Sequence, residues 1–581
     1  MARPARWLLP NLDRGAVEAL GRHLGLGLPV ASVLYGRGFR DASAARHFLC
    51  PSLDDLHDPL AMRGMDCALE RLQRAIRDRE KILVYGDYDV DGATSVVILK
   101  RSIELAGGVA DFHVPDRLKD GYGMRPEVVE TAAARGVTLI ISVDTGIRAA
   151  EVVRRASELA IDVIITDHHL PEAELPPALA VLNPNRPDCA YPEKNLCGVG
   201  VAFKLVQALV ATLDWSEQKR RRILESFLKL VAIGTVADVV PLTGENRIIV
   251  KHGLSGLRDV RSPGLRALLE VAGFTGGSVP SATQVAFRIA PRMNAAGRMA
   301  TANDVIEMLL TSDVDRARVL AEQLHTLNAE RQKTEAQIIE SILEECERAP
   351  VDDSQAALVF CAPAWHRGVL GIVASRLVER FCRPVFVLSE DPETGLAQGS
   401  GRSIACFHLL EALESMPELF VKFGGHSHAA GLTLHAKDVA LFRRRFAEYA
   451  GTLLTPEDFV PETEIDAILP LNEVNERTLS EINALAPFGC GHPAPLFAAL
   501  DTEVAGSPVV WKEKHLRVPL RQNGRTLWLK AWNFAERISE LPPGSRVDAA
   551  LSLEDDSYAA ANGLPGWSAI LRDVRPAGAP E

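Results

Sequence analysis

Short apolar runs that end in acidic or imidazole residues set the pattern of the first half of the chain. Ile82-Leu83-Val84-Tyr85 leads into Asp87-Tyr88-Asp89-Val90-Asp91-Gly92. Leu139-Ile140-Ile141-Ser142-Val143 ends at Asp144, and Val163-Ile164-Ile165-Thr166 at Asp167-His168-His169. Such runs suit strands buried on both faces. Between them lie stretches of helical period: Leu69, Leu72 and Ile76, then Val96, Val97 and Leu99 in a helix starting near Gly92. Strand–helix–strand alternation predicts a mostly parallel sheet covered by helices. Leu228 to Ala237 reads as a further buried segment ending in Asp238. Residues 1–60 show no strong repeating pattern and read as an N-terminal extension.

Asp313 to Arg348 has a different texture. It is charged, free of Gly and Pro, and carries Leu320, Leu324, Leu327, Ile338 and Ile342 at helical spacing. Ser312 or Asp313 can cap its start and Pro350 ends it. A connector helix of about 50 Å is predicted; a coiled-coil arm is disfavoured because the apolar positions keep no strict heptad. A second α/β unit follows from Gln355 to about Tyr449. From Pro461 onward short alternating strands dominate: Leu496–Val504, Leu516–Arg521, Thr526–Trp532, Val547–Leu553 and Ser568–Val574. Asn523-Gly524 between two of them is a hairpin signal. A small barrel, with an OB-fold as one candidate, fits this spacing. Trp511, Trp528, Trp532 and Phe534 offer rings that can stack on bases or fill its core.

Composition narrows the class. The chain has 581 residues, too many for one core, with 47% hydrophobic and 24% charged residues. No run reaches the ~20 apolar residues of a membrane span. Within Met1–Arg14 the only apolar stretch is Trp7-Leu8-Leu9, too short for a secretion signal. Nine cysteines, an odd number thinly spread, suggest reduced thiols. A cytoplasmic location without membrane contact is the expectation. The net charge of -12 argues against a protein coated in nucleic acid but leaves room for a local basic groove.

The acidic strand ends carry the chemistry. Asp87, Asp89 and Asp91 alternate, so an extended chain would put all three on one face. Carboxylates so placed repel unless cations lie between them. The string also fits the opening of an EF-hand loop, but Ile98 stands where the bidentate Glu belongs. With Asp144, Asp167-His168-His169 and Asp238, the set is oxygen-rich with imidazole and suits Mn²⁺ or Mg²⁺. Two such ions would activate a water and stabilise the leaving oxygen of a phosphoester. No Gly-Lys-Ser/Thr phosphate loop is present, which argues against ATP-driven motion. The basic runs Lys219–Arg222 and Arg443–Arg445 read as solvated helix faces.

Asp-x-Asp-x-Asp-Gly, Asp-Thr-Gly, Asp-His-His and a later Asp, in this order, resemble the DHH phosphoesterase superfamily. The resemblance implies a two-metal site. Asp89 and Asp91 would be direct ligands, Asp144 would bridge, and His168 and Asp238 would complete the second ion's shell. Asp87 would be a ligand or support one, and His169 would contact the scissile phosphate or orient its neighbour. The catalytic candidates are thus Asp89, Asp144 and His169.

Four later segments extend the likeness. They are Arg288-Ile289-Ala290-Pro291-Arg292-Met293-Asn294-Ala295-Ala296-Gly297-Arg298, Trp365-His366-Arg367-Gly368-Val369, Gly399-Ser400-Gly401-Arg402-Ser403 and Gly424-Gly425-His426-Ser427-His428. Together they resemble the RecJ family of single-stranded-DNA-specific 5′→3′ exonucleases, from about Arg37 to the final strands. Pro487 to Pro493 resembles that family's barrel-entry segment, with His492 where Asn is expected.

The family implies a parallel-sheet DHH catalytic domain over 61–312 and a connector helix over 313–349. A second α/β, DHH-associated domain (350–455) and a C-terminal OB-fold barrel (456–581) follow, with 1–60 as the extension. It also implies a cleft between the two α/β domains and a 5′-phosphate pocket. Arg117, Ser400, Gly401 and Arg402 would form that pocket. Arg288, Arg292, Asn294, Arg298, His366, Gly424, Gly425 and His426 would bind the strand. Partners implied are single-stranded DNA, a helicase and a single-strand-binding protein, in recombination, mismatch repair and other DNA repair. Two rivals stand beside this reading. One is another phosphoesterase of the superfamily, acting on short oligonucleotides or cyclic dinucleotides. The other is a non-catalytic single-strand-binding scaffold.

Overall fold

Five apolar segments line up as parallel strands: β1 (Lys81–Tyr85), β2 (Val109–His113), β3 (Val137–Val143), β4 (Asp162–Thr166) and β5 (Ala180–Leu182). Their order across the sheet in the computed structural model is β2-β1-β3-β4-β5. Residues 5–116, 121, 123–352, 354–556, 559–560 and 563–579 are described. In-register pairs such as Val84↔Ile141 and Ile141↔Ile164 align the runs seen in the sequence. Alternate side chains serve opposite layers. Ile82, Val84, Leu139, Ile141 and Ile164 pack against helices α1 (Val90–Leu105) and α2 (Gly198–Thr212). Leu83, Tyr85, Ile140, Val163 and Ile165 pack on the other face with Val129, Val152 and Val153. Each fully buried aliphatic side chain contributes about 1.5–3 kcal/mol, so a one-residue slip in any strand would be costly.

The amino ends of the strands are tied by charge. Arg71, buried, bonds Asp162 at 2.5 Å and Glu80 at 2.7 Å, and Thr138 donates its hydroxyl to Glu80. The carboxyl ends are open. Strand order reverses between β1 and β3, and a crevice forms outside the carboxyl ends at such a switch point. A third helix, α3 (Glu217–Ala237), contains the apolar run Leu228–Ala237 and delivers Asp238 at its C-terminus.

This sheet belongs to one of two compact units, comprising Pro51–Gln337 and Pro487–Pro493. The Pro487–Pro493 segment, expected to introduce the barrel, is held here. The Leu242 N–H donates to the Cys490 carbonyl at 2.8 Å, and the buried Arg247 donates to that of Pro487 at 3.3 Å. The long helix spans Val314–Arg348, and Asp313 caps it by accepting from the N–H groups of Asp315 and Arg316. Its residues to Gln337 belong to this unit and those from Ile338 to the other.

The second unit comprises Met1–Cys50, Ile338–Ala486 and Ala494–Glu581. One of its sheets orders the strands Phe420–Gly425, Ala429–His435, Leu396–Arg402, Val385–Asp391 and Leu358–Pro363. Only the last two pair in parallel. The C-terminal strands Phe497–Val504, Arg546–Asp555, Trp567–Pro576, Arg525–Ala531 and His515–Gln522 form a barrel, closed by Val504 pairing with Leu520. Asn523 and Gly524 both take positive φ (50° and 78°), the turn that their sequence demanded.

Residues 1–60 depart from the expectation of a patternless extension. Arg14–Leu24, Leu28–Gly36 and Ala42–Leu49 are helices, and Arg6–Leu8 pairs in parallel with Glu462–Glu464. Elements this short show too few periods to register in sequence. Trp7 is fully buried with Ile465, Ala498 and Ala550; its Nε1 donates to Asp573 Oδ2 at 2.7 Å and Arg575 lies 4.6 Å over its ring.

Candidate metal centre

The acids do not converge as three alternating strand residues. Strand β1 ends before Asp87, Asp89 is the N-cap of α1, and Asp91 lies in that helix's first turn. Asp89 Oδ1 accepts from the Gly92 N–H at 3.0 Å, the bond that stops the extended chain. As a result Asp91 lies in the first turn of a helix instead of on an extended strand. The N-terminus of α2 meets it: Gly198 and Val199 donate backbone N–H to its two oxygens at 2.6 and 2.7 Å. A Cβ on Gly198 would lie 2.6 Å from that of Asp144, so only glycine lets helix and acid approach so closely. Asp144 itself takes a left-handed backbone (φ 59°) at the end of β3.

Three overlapping groups of ligand atoms form at the switch point, the atoms of each lying within 4.8 Å of one another: Asp87, Asp89 and Asp144; Asp91, His168 and Asp238; Asp144, His168 and His169. His168 Nε2 lies 3.2 Å from Asp144 Oδ1, 3.7 Å from Asp238 Oδ2 and 3.9 Å from Asp91 Oδ2. None of these approaches has hydrogen-bond geometry. Asp144 Oδ1, His168 Nε2 and Asp238 Oδ2 are buried without a hydrogen-bond partner. Orphaned acceptors at this depth are costly unless something cationic satisfies them.

The electrostatics agree. Burial, then the charge of Asp89, pushes the Asp91 carboxyl up to about 7 against the pull of the Val199 and Gly198 N–H groups. Burial, then Asp91 and Asp89, pushes Asp238 up to about 9. Asp144 is raised well above the carboxylate range by burial and then by Asp91, Asp89, Asp87 and Asp238. Burial, with the nearby His169, lowers His168 to about 4, leaving a neutral imidazole with a lone pair to offer. Oxygen-rich ligands with one or two neutral imidazoles fit Mn²⁺ or Mg²⁺.

Asp167 has another task. Fully buried, it accepts from the N–H of Ile147, His168 and His169 at 2.9, 2.7 and 3.1 Å, and pairs with His169 Nδ1 at 2.7 Å. These bonds outweigh its burial and hold its pKa down; burial opposes protonation of His169, but Asp167 outweighs it and raises the imidazole. Sequence reasoning counted Asp167 in the metal-holding set and did not foresee this supporting role. It likewise passed over Asn183 and Asn185, whose amides hold the His169 and His168 carbonyls. The Cys197-Gly198-Val199 helix start was also missed; its signal was a glycine pair before an apolar helix.

Other expected residues fall out as follows. Arg288 donates to the Ala272 carbonyl at 2.6 Å and stacks 4.4 Å over Phe274, so its guanidinium serves the fold rather than presenting an open fork. Arg292 bonds His325 Nδ1 at 3.2 Å and the Arg288 carbonyl. Arg292, Asn294 and Arg298 ride one helix, Ala290–Met299, each half-buried. Arg117 lies outside the described residues.

In the second unit the glycine motifs share one sheet, where Gly431 pairs with both Gly424 and Ser400, and Ala430 with both Gly425 and Gly401. His426 continues the hairpin, its N–H bonded to Ala429 O. Arg402 donates to the Gly401 carbonyl, and a Cβ on Gly371 would lie 2.9 Å from its guanidinium. His366 caps the turn Arg367–Val369 by accepting the Gly368 N–H at Nδ1. On the barrel, Trp528 and Trp532 are 53% and 40% exposed, whereas Phe534 is buried and belongs to the core.

The chain is similar to known proteins. Residues 81–235 match the DHH family, N-terminal domain; residues 353–452 match the DHHA1 domain, and residues 465–564 the RecJ OB domain. A Bacillus subtilis protein named single-stranded-DNA-specific exonuclease RecJ is 40% identical over 548 residues, covering 94% of this chain and 68% of that protein. The Thermus thermophilus RecJ crystal structure in complex with Mn²⁺ superposes with a TM-score of 0.83 at 32% identity, covering 99% of this chain and 80% of that one. Its counterpart with Mg²⁺ gives 0.77 at 31% identity, covering 99% and 79%.

Proposed function

The chain belongs to the RecJ family, and from that premise we propose that it is a single-stranded-DNA-specific exonuclease that works from the 5′ end and depends on divalent cations. The observation that carries this reading is the nest of overlapping carboxylate and imidazole groups at the β1/β3 switch point. Two Mn²⁺ or Mg²⁺ ions bound there would activate a water and stabilise the leaving oxygen of a phosphodiester.

The protein's own residues hold and orient. Asp87, Asp89 and Asp144 offer oxygens for one ion, and Asp91, His168 and Asp238 offer ligands for the other. Asp144 and His168 each serve two groups and would couple them. The α2 N-terminus fixes both oxygens of Asp91. His169, with Nδ1 held by Asp167, would present Nε2 to a scissile phosphate. The products would be 5′-mononucleotides.

Strand handling would fall to residues of both units. In the second unit Ser400, Gly401 and Arg402 would serve the 5′-phosphate and His366, Gly424, Gly425 and His426 the strand; in the first, Arg292, Asn294 and Arg298 would serve the strand. Of the clustered barrel rings Trp532 is exposed and Trp511 half-buried, which supports base stacking, while His515 is buried. Trp511 and Trp532 lie 5.1 Å apart, His515 is 4.8 Å from Trp532, and Lys512 and Arg517 lie 5.2 and 5.7 Å from the Trp511 ring. Rings flanked by cations suit single strands and make binding weaken with salt. Among the described residues no helix is long and apolar enough to cross a membrane. A cytoplasmic place in recombination and repair, beside a helicase and a single-strand-binding protein, belongs to the same reading.

A time course on 5′-labelled and 3′-labelled single strands, with Mn²⁺ or a chelator, tests the proposal. Release of labelled mononucleotide at once from the 5′ label only, and only with metal, is expected. Early release from the 3′ label, or equal rates with the chelator, overturns it.

A further inference from the structure

The last strand pair of the parallel sheet ends with Thr166↔Leu182, and the Asp167 N–H still reaches the Leu182 carbonyl at 3.0 Å. Beyond that point the two exit segments, Asp167-His168-His169 and Asn183-Pro184-Asn185, keep close company without a strand ladder. Side-chain amides take its place. Asn185 Nδ2 donates to the His168 carbonyl at 2.6 Å, and Asn183 Nδ2 to the His169 carbonyl at 2.8 Å. Asn183 Oδ1 accepts the Asn185 backbone N–H at 2.7 Å, so the Asn183 side chain also holds the Asn185 backbone. Asn183 is fully buried and Asn185 half-buried. Lys194 in turn anchors the turn between them, donating to the Pro184 carbonyl at 2.8 Å.

The two histidines are thereby gripped from both sides. Asp167 takes their N–H groups, and the two asparagines take their carbonyls. With the peptides fixed, few torsions remain to set where each Nε2 points. A metal ligand must be held within about 0.5 Å of its productive place. We propose that Asn183 and Asn185 are positioning residues: they extend the β4–β5 ladder by side chain and fix the His168 and His169 imidazoles for metal and phosphate. The inference rests on the metal reading above. Asn185 acts on His168, which is shared by two ligand groups, so its loss should be felt as metal affinity before anything else.

The test is titration of the full chain with Mn²⁺, without DNA, reading free Mn²⁺ by electron paramagnetic resonance. Asn185→Ala and Asn185→Leu remove the donor at a half-buried place without adding charge. Arg71→Met is the control; it breaks the buried ion pairs at the far end of the same strand, β4. The expected result is Mn²⁺ binding weakened roughly 10–100-fold in the folded Asn185 variants. Arg71→Met should lose thermal stability yet keep wild-type Mn²⁺ affinity. Wild-type Mn²⁺ affinity in a folded Asn185 variant overturns the inference. So does an equal loss in Arg71→Met, which would mark a general effect of destabilisation. Wild-type protein that binds no Mn²⁺ defeats the metal reading itself, a result distinct from either.

Discussion

Replacing Asp144 by Asn should move stability in opposite directions with and without metal. The side chain is buried, and its carboxylate oxygen lies within 4.8 Å of those of Asp87 and Asp89. At that 4.8 Å separation, two full charges repel by about 3.5 kcal/mol at an effective dielectric of about 20. Burial and the surrounding acids already drive the Asp144 carboxyl toward its neutral form, so only part of this repulsion is present in the metal-free protein. A gain of about 1–2 kcal/mol is expected in chelator, or a few degrees in melting temperature. With Mn²⁺ the sign reverses. Wild-type protein at a hundredfold excess over Kd gains about 2.7 kcal/mol from binding. The Asn variant, lacking the carboxylate shared by two ligand groups, should gain little. Scanning calorimetry of both proteins in chelator and in Mn²⁺ reads all four values. An Asn variant that melts lower in chelator and keeps the full Mn²⁺ gain would refute the reasoning.

Three further outcomes follow from named contacts. Trp7→Ala should cost about 3–5 kcal/mol by urea unfolding, because it opens a cavity and strips Asp573 of a donor; a loss under 1 kcal/mol would mean that the N-terminal strand is dispensable. Glu80 is pushed up by burial but held below the ordinary glutamate value by Thr138 and Arg71. Its folded pKa being depressed, its contribution is complete above about pH 4.3 and lost as pH falls through the folded value. The urea-midpoint gap between wild type and Glu80→Gln should therefore close below pH ~4, and a constant gap would contradict the pairing. Trp532→Ala should weaken binding of a long single strand by about 1–3 kcal/mol in a fluorescence titration while sparing a dinucleotide; equal effects on both would remove the barrel from strand binding.

Much of the catalytic unit was legible because its chemistry sits where period-2 and period-3.6 patterns change over. Asp87, Asp144 and Asp167 each follow an apolar run, and strand ends of a parallel sheet face the crevice. The barrel strands were legible to within a residue or two, helped by Asn523-Gly524. What stayed hidden depends on distant parts of the chain. Nothing local says that Asp91 is met by the N–H groups of Gly198 and Val199, or that Asn185 reaches the His168 carbonyl. Alternation at 87, 89 and 91 suggested one face of a strand, but the Asp89 cap turned the chain into a helix and placed Asp91 in its first turn. Arg288 looked like a free fork until Phe274 and the Ala272 carbonyl came into place around it. Trp7 finds its partners more than 450 residues away in sequence.

The central claim is that the acids and imidazoles at the β1/β3 switch point hold a pair of divalent cations. Anomalous diffraction from a crystal soaked in Mn²⁺ measures this directly. Two peaks are predicted, one among Asp87, Asp89 and Asp144 and one among Asp91, His168 and Asp238. Density free of any peak in that nest, at Mn²⁺ concentrations that support cleavage, would contradict the account.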